Sequence, residues 1–193
     1  MSGRAPTPEG YQPIAFVKFC ARARIDYYGA YPLGFLKPAR DLLGCRLDDV
    51  VLHVCSGKVR EYPYYGVGPL DLTLDLDPAV HPDIVGDARQ IKPYHDAWQV
   101  HGTLDGILAD PAYSREEQGN YGDGSEAWKD QWPSPEIIVR HSIAILPIGG
   151  RVGVLSYDLP RYPKDRARQV AVMAVYVGNG NKGRTFAVFE RTA

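Results

Sequence analysis

VVLHVCSG, residues 50–57, is the stretch on which the fold turns. Its first six residues form a nearly unbroken apolar run, rich in β-branched valine, that stops at the small pair Ser56-Gly57. A strand covered on both faces needs such a run, and strands of that kind belong to parallel sheets.

Further along the chain, LDLTLDLD (70–77) sets leucines at 70, 72, 74 and 76 against Asp71, Thr73, Asp75 and Asp77. That is the two-residue period of a strand, and it predicts one apolar face and one polar, uncovered face. DIVGDA (83–88) and LDGILAD (104–110) supply two more strands with a carboxylate at or next to their ends. Residues 111–131 carry too much Gly, Ser and charge for a core element, and their length predicts a functional lid rather than a passive link. Ser134 is suited to cap a helix running to about Leu146, with Glu136 in its first turn and PIGG (147–150) as its stop. RVGVLSY (151–157) reads as a fifth strand, and VAVMAVYV (170–177), the GNGNKG turn and RTFAVFE (184–190) read as a hairpin.

Upstream, PIAFVKFCARARI (13–25) has Pro at its first position and apolar residues at helical spacing, so it predicts a helix. After the Gly/Pro-broken YYGAYP (27–32), FLKPARDLL (35–43) predicts a second helix, stopped by Gly44 with Pro38 in the first turn. The expected architecture is one α/β domain over 1–193, with an N-terminal helical segment to residue 45 and a lid at 111–131. Its sheet is Rossmann-like and mostly parallel, with a C-terminal antiparallel hairpin. The links 58–69 and 78–82 are too short for a covering helix, so helices are reduced around the first strands.

Composition narrows the functional classes. With 22 Lys plus Arg against 23 Asp plus Glu, the net charge of −1 excludes binding nucleic acid by bulk electrostatics and leaves only a local basic patch. Cys20, Cys45 and Cys55 are an odd set without a CxxC pair, which argues against a disulfide framework and a zinc ribbon and for a reducing cytoplasm. The leader has no apolar signal core, and no run of about 18 apolar residues predicts a membrane span. The five histidines have no zinc spacing, so no metal is expected.

In an open parallel sheet the ligand crevice lies beyond the carboxyl ends of the strands. The residues expected there are Ser56-Gly57, Asp75 with Asp77, Asp87-Ala88 and Asp110-Pro111-Ala112-Tyr113. A small residue lets a cofactor approach the backbone, and an acid after the next strand suits ribose hydroxyls.

Taken together, VLHVCSG (51–57), LDLDP (74–78), GDAR (86–89) and ADPAYS (109–114) resemble the motifs of class I S-adenosylmethionine-dependent methyltransferases. Within that class they look like the amino-methylating DNA enzymes marked by (D/N)PP(Y/F). The likeness runs from about Tyr31 to Arg191, with Ala112 in place of the second proline. It implies S-adenosylmethionine as cofactor, held by Ser56, Gly57, Asp75, Asp87 and Ala88, and an exocyclic amino group in DNA as target, adenine ahead of cytosine. RNA or a protein amide is the alternative substrate, and a non-catalytic partner subunit the alternative role. The implied catalytic set is the Asp110 carboxylate and Pro111 carbonyl, both accepting from the amino group, and Tyr113 stacking on a base taken out of the duplex. Ala112 and Ser114 complete the substrate side.

Arg161, Lys164 and Arg166, just beyond the fifth strand, are the basic residues expected to meet phosphate. Tyr121, Trp128 and Trp132 in and beside the lid suit either base stacking or packing under it. Little room remains for a recognition domain, so target choice falls to the lid, the N-terminal segment or a partner, whether a second copy in a homodimer or another subunit.

Overall fold

The computed structural model describes residues 13–22, 30–61, 65–98, 104–122, 125–178 and 183–193, with the side chains of 97 and 98 left aside. Half of the YYGAYP stretch (27–29) and the centre of the GNGNKG turn lie outside the described residues.

The strands are β1 (Ile14–Cys20), β2 (Val51–Val54), β3 (Leu72–Asp75), β4 (Ile84–Val85), β5 (Gly106–Ala109), β6 (Arg151–Ser156), β7 (Ala167–Val177) and β8 (Arg184–Arg191). They form one sheet in the order β1-β7-β8-β6-β5-β2-β3-β4. Every neighbouring pair is parallel except β6·β8 and β7·β8, so the mostly parallel sheet closed by an antiparallel hairpin is as expected. Strands β2, β3 and β4 run outward in one direction and β5 and β6 in the other. The order therefore reverses between β2 and β5, where all four residues of each strand are buried.

Helix α1 (Leu36–Leu43) forms as the sequence predicts, with Gly44 left-handed at its end (φ 69°). Leu36, Ala39 and Leu43 press into a core on one face of the sheet that also holds Phe35, Met173, Phe186 and Val188. Helix α5 (Pro135–Ile145), capped by the Ser134 side chain, covers the opposite face with Ile138, Val139 and Ile143.

Three local expectations fail. Residues 14–20 form an edge strand parallel to β7 rather than a helix: Ile-Ala-Phe-Val-Lys-Phe-Cys fits either period, and pairing with the eleven-residue β7 decides for the strand. Helix α2 (Ile91–Trp98) was not foreseen, because Pro93 and a polar composition mask its pattern. The polar side of residues 71–77 is not an open face, since Asp71 and Thr73 are buried. Arg40 Nη1 donates to both Asp71 oxygens (2.9 and 2.7 Å), and the Val51 and Gly68 N–H groups and His53 Nε2 also meet that carboxylate. Thr73 bonds Asp83, which pairs with Arg60. A polar network thus takes the place of the missing helix, satisfying the buried groups that the alternation created.

Candidate active site

The carboxyl ends of β2, β3, β4 and β5 open on a single cleft at the point where the strand order reverses. Cys55 and Gly57 line it after β2, Asp75, Leu76 and Asp77 after β3, Asp87 and Ala88 after β4, and Asp110 and Ala112 after β5. The four segments predicted to converge do so. Ser56 is buried beside them, its N–H bonded to the Leu74 carbonyl.

After β2 the chain turns through two left-handed residues, Cys55 (φ 54°) and Gly57 (φ 50°), with Ser56 between. A left-handed cysteine is a strained conformation of the kind that clusters at binding sites. Asp75 holds the turn in place: one oxygen accepts from Gly57 N–H (2.8 Å) and the other from Asp77 N–H (3.0 Å). Burial pushes the Asp75 carboxyl up, and these backbone donors oppose it. Asp77 caps a single 3-10 turn through Ala79 N–H, as suits a turn residue before Pro78.

Asp87 is held twice over. Its side chain caps the next turn at Arg89 N–H (2.8 Å) and takes both Nε and Nη2 of the Arg89 guanidinium. The Cys55 thiol is pushed well up by burial first, then by Asp75, Asp110 and Asp87. Burial and three carboxylates from three strand ends thus act together to keep the thiol protonated.

Asp110 follows β5, its N–H bonded to the Val54 carbonyl. Burial pushes its carboxyl up to about 7, against the pull of Arg184 and of a hydrogen bond from Tyr113. That bond, Tyr113 OH to Asp110 Oδ1, is 2.9 Å. The Tyr113 ring lies 4.6 Å from Tyr157, and the Arg184 guanidinium sits over it at 4.7 Å. Tyr113, expected to stack on the base, thus already has Tyr157 and Arg184 against its ring.

Residues 111–131 hold two one-turn helices, α3 (Arg115–Gln118) and α4 (Glu126–Lys129), capped by Ser114 and Ser125. Ser114 is thus spent on the Glu117 N–H. Gln118, Tyr121, Trp128 and Gln131 form the wall of the cleft, and Gly122 (φ 55°) leaves room for the Trp128 ring, which any Cβ would strike. Trp132 instead packs inward, its Nε1 donating to the Ala112 carbonyl at 2.7 Å.

The basic run is displaced from the rim. Segment 157–166 carries the chain from the end of β6 back to the start of β7, and Tyr162 packs on Phe189 on the way. Arg166 ends at the opposite, amino edge of the sheet, where its carbonyl accepts from Thr192 N–H. Arg161, Lys164 and Arg166 are exposed and lead away from Asp110 because a strand parallel to β6 must start at the far edge. Sequence reasoning missed Arg184, Tyr157 and Glu117. Tyr157 OH and Tyr113 N–H both bond Glu117, so the three join the wall around Asp110. The position of Arg184, first after the hairpin turn, was the available signal.

Among solved structures, the chain is similar to TrmN from Thermus thermophilus (TM-score 0.54, 20% identity, 85% of this chain and 50% of that one). The fold is that of the class I methyltransferases. The chain spans half the length of TrmN, and at that identity the likeness concerns the fold alone. Weaker similarities include an rRNA methylase from Streptococcus thermophilus (TM-score 0.46, 11% identity, 81% and 95% covered). Another is the Burkholderia thailandensis 1,6-didemethyltoxoflavin-N1-methyltransferase with S-adenosylhomocysteine (TM-score 0.45, 14% identity, 82% and 78% covered). No family model matches the sequence, and no curated protein matches it.

Proposed function

We propose that this chain transfers a methyl group from S-adenosylmethionine to an exocyclic amino nitrogen of a base in DNA, adenine ahead of cytosine. The observation that carries the reading is the convergence of Gly57, Asp75, Asp87 and Asp110 on one cleft at the sheet's switch point. The donor set fits a nucleoside cofactor: carboxylates for ribose hydroxyls and an adenine amino group, a backbone turn with no side chain at Gly57, and small, buried Ala88. Bound there, S-adenosylmethionine would supply an electrophilic methyl on a sulfonium.

The remaining work falls to the chain. An amino nitrogen on adenine is a poor nucleophile because its lone pair is delocalised into the ring. Asp110 and the Pro111 carbonyl, adjacent and buried at the end of β5, would accept its two hydrogens and favour a nitrogen whose lone pair is free. After transfer, Asp110 would take the proton the nitrogen loses. For the base to use Asp110 Oδ1, its amino group must displace the Tyr113 hydroxyl as hydrogen-bond donor, and the released ring could then stack on the base.

Nucleoside mass spectrometry of DNA and RNA from cells expressing the wild type or Asp110→Ala tests the reading. A methylated base in DNA that vanishes in the variant supports it. A change confined to RNA moves the substrate to RNA, and identical profiles overturn the nucleic-acid assignment.

A further inference from the structure

The rim that holds Asp110 carries a second chemical feature. Lys18 of β1 is in register with Val175 of β7, which is in register with Arg184 of β8. Registered residues face the same side of a sheet, so the two residues lie on the face on which Val175 is buried, their backbones about 10 Å apart across two strand spacings. Tyr113 packs on that same face. Cys20, which ends β1, independently reports the convergence: burial pushes its thiol up, and Lys18 and Arg184 both pull it down.

Arg184 is half-buried, and its contact is a ring, not a carboxylate; among the described residues it forms no salt bridge. Arg191 of β8 donates to backbone carbonyls. Arg151 and Arg168 are both paired with Glu190. A guanidinium stacked on tyrosine keeps its planar N–H edge turned outward, where a phosphate can take two bonds from it.

We propose that Arg184 and Lys18 form an anion-binding strip that grips the phosphodiester backbone of DNA beside the target nucleotide. This rests on the DNA reading above. It places the phosphate contact at the β1-β7-β8 end of the rim, where the guanidinium already touches Tyr113 and the strand would be held next to Asp110. The opposing charge that Arg184 acts on is Asp110, whose carboxyl it pulls down without a direct ion pair.

The test is the salt dependence of binding to a fluorescently labelled DNA duplex, measured by anisotropy at several salt concentrations. Arg184→Gln and Lys18→Gln should each weaken binding and lower the slope of log affinity against log salt by about one. Arg184→Lys should keep the slope while losing affinity, since charge remains but the paired geometry does not. Arg140→Gln, on the exposed face of α5, should match the wild type. Unchanged melting temperature and calorimetric binding of S-adenosylhomocysteine confirm that each variant is folded. If Arg184→Gln does not fold, Lys18→Gln on the edge strand carries the test. Wild-type slopes in both glutamine variants, with wild-type DNA methylated, overturn the strip alone. Failure of the wild type to bind DNA overturns the strip together with the DNA reading.

Discussion

The Tyr113 hydroxyl donates to Asp110 Oδ1 at 2.9 Å, so the acceptor expected to hold the target amino group is already occupied by a residue three positions along. Burial raises the Tyr113 hydroxyl well above its ordinary range, with the Asp110 charge adding to it, which keeps the tyrosine a donor. Tyrosine and substrate therefore compete for one carboxylate oxygen.

Removing only the hydroxyl should relieve that competition. Tyr113→Phe is expected to keep or raise kcat/KM, whereas Tyr113→Ala should lose about 5–150-fold through the missing stacking of about 1–3 kcal/mol. Calorimetry with S-adenosylhomocysteine should find cofactor affinity unchanged in both. A collapse of that affinity would assign Tyr113 to the cofactor instead.

Asp110 gives the proposed reaction a pH signature. With its carboxyl pushed up to about 7, acidification below neutrality converts it from acceptor to donor, so kcat/KM should fall as pH drops through that value. Stability has the opposite sense. An acid whose folded pKa exceeds its unfolded one binds more protons when folded, so its contribution declines as pH rises from about 4 to about 7. Asp110→Asn should thus abolish methylation yet stabilise the fold at pH 8, by at most about 4 kcal/mol given about 1.4 kcal/mol per pH unit. Urea denaturation at pH 5 and pH 8 measures it; equal stability of variant and wild type at pH 8 would contradict the argument.

Asp75 braces the turn after β2 while facing the cleft. Asp75→Ala should weaken S-adenosylhomocysteine binding by about 1–3 kcal/mol through lost charge-assisted hydrogen bonds. Titration calorimetry decides, and unchanged affinity would remove Asp75 from the cofactor site.

Buried Arg40 and Asp71 form the polar anchor beneath β2 and β3. Burial alone would raise the Asp71 carboxyl, but hydrogen bonds from His53, Arg40 and Gly68 outweigh it and hold it below the usual range. Arg40→Ala leaves that carboxylate without its cation and should cost about 3–5 kcal/mol. Because a depressed carboxyl contributes above its unfolded pKa, this contribution is lost as pH falls through the folded value. A thermal melting series across acid pH, variant against wild type, checks both statements.

The sequence by itself determined the strands from 50 to 190, the helices at 36–43 and 135–145, and the acids and small residues at four strand ends. Each rests on a local signal: an apolar run, a two-residue period, a serine cap or a terminating glycine. Tertiary contacts decided the rest. IAFVKFC became a strand because β7 offered it an edge, and Asp71 and Thr73 were buried because Arg40 and Asp83, distant in sequence, supplied their partners. Arg184 reached Tyr113 through the return of β8, while the same topology carried Arg166 to the far edge. Local periodicity says which face a residue takes within its own element; pairing between strands far apart in sequence sets which residues from different elements meet.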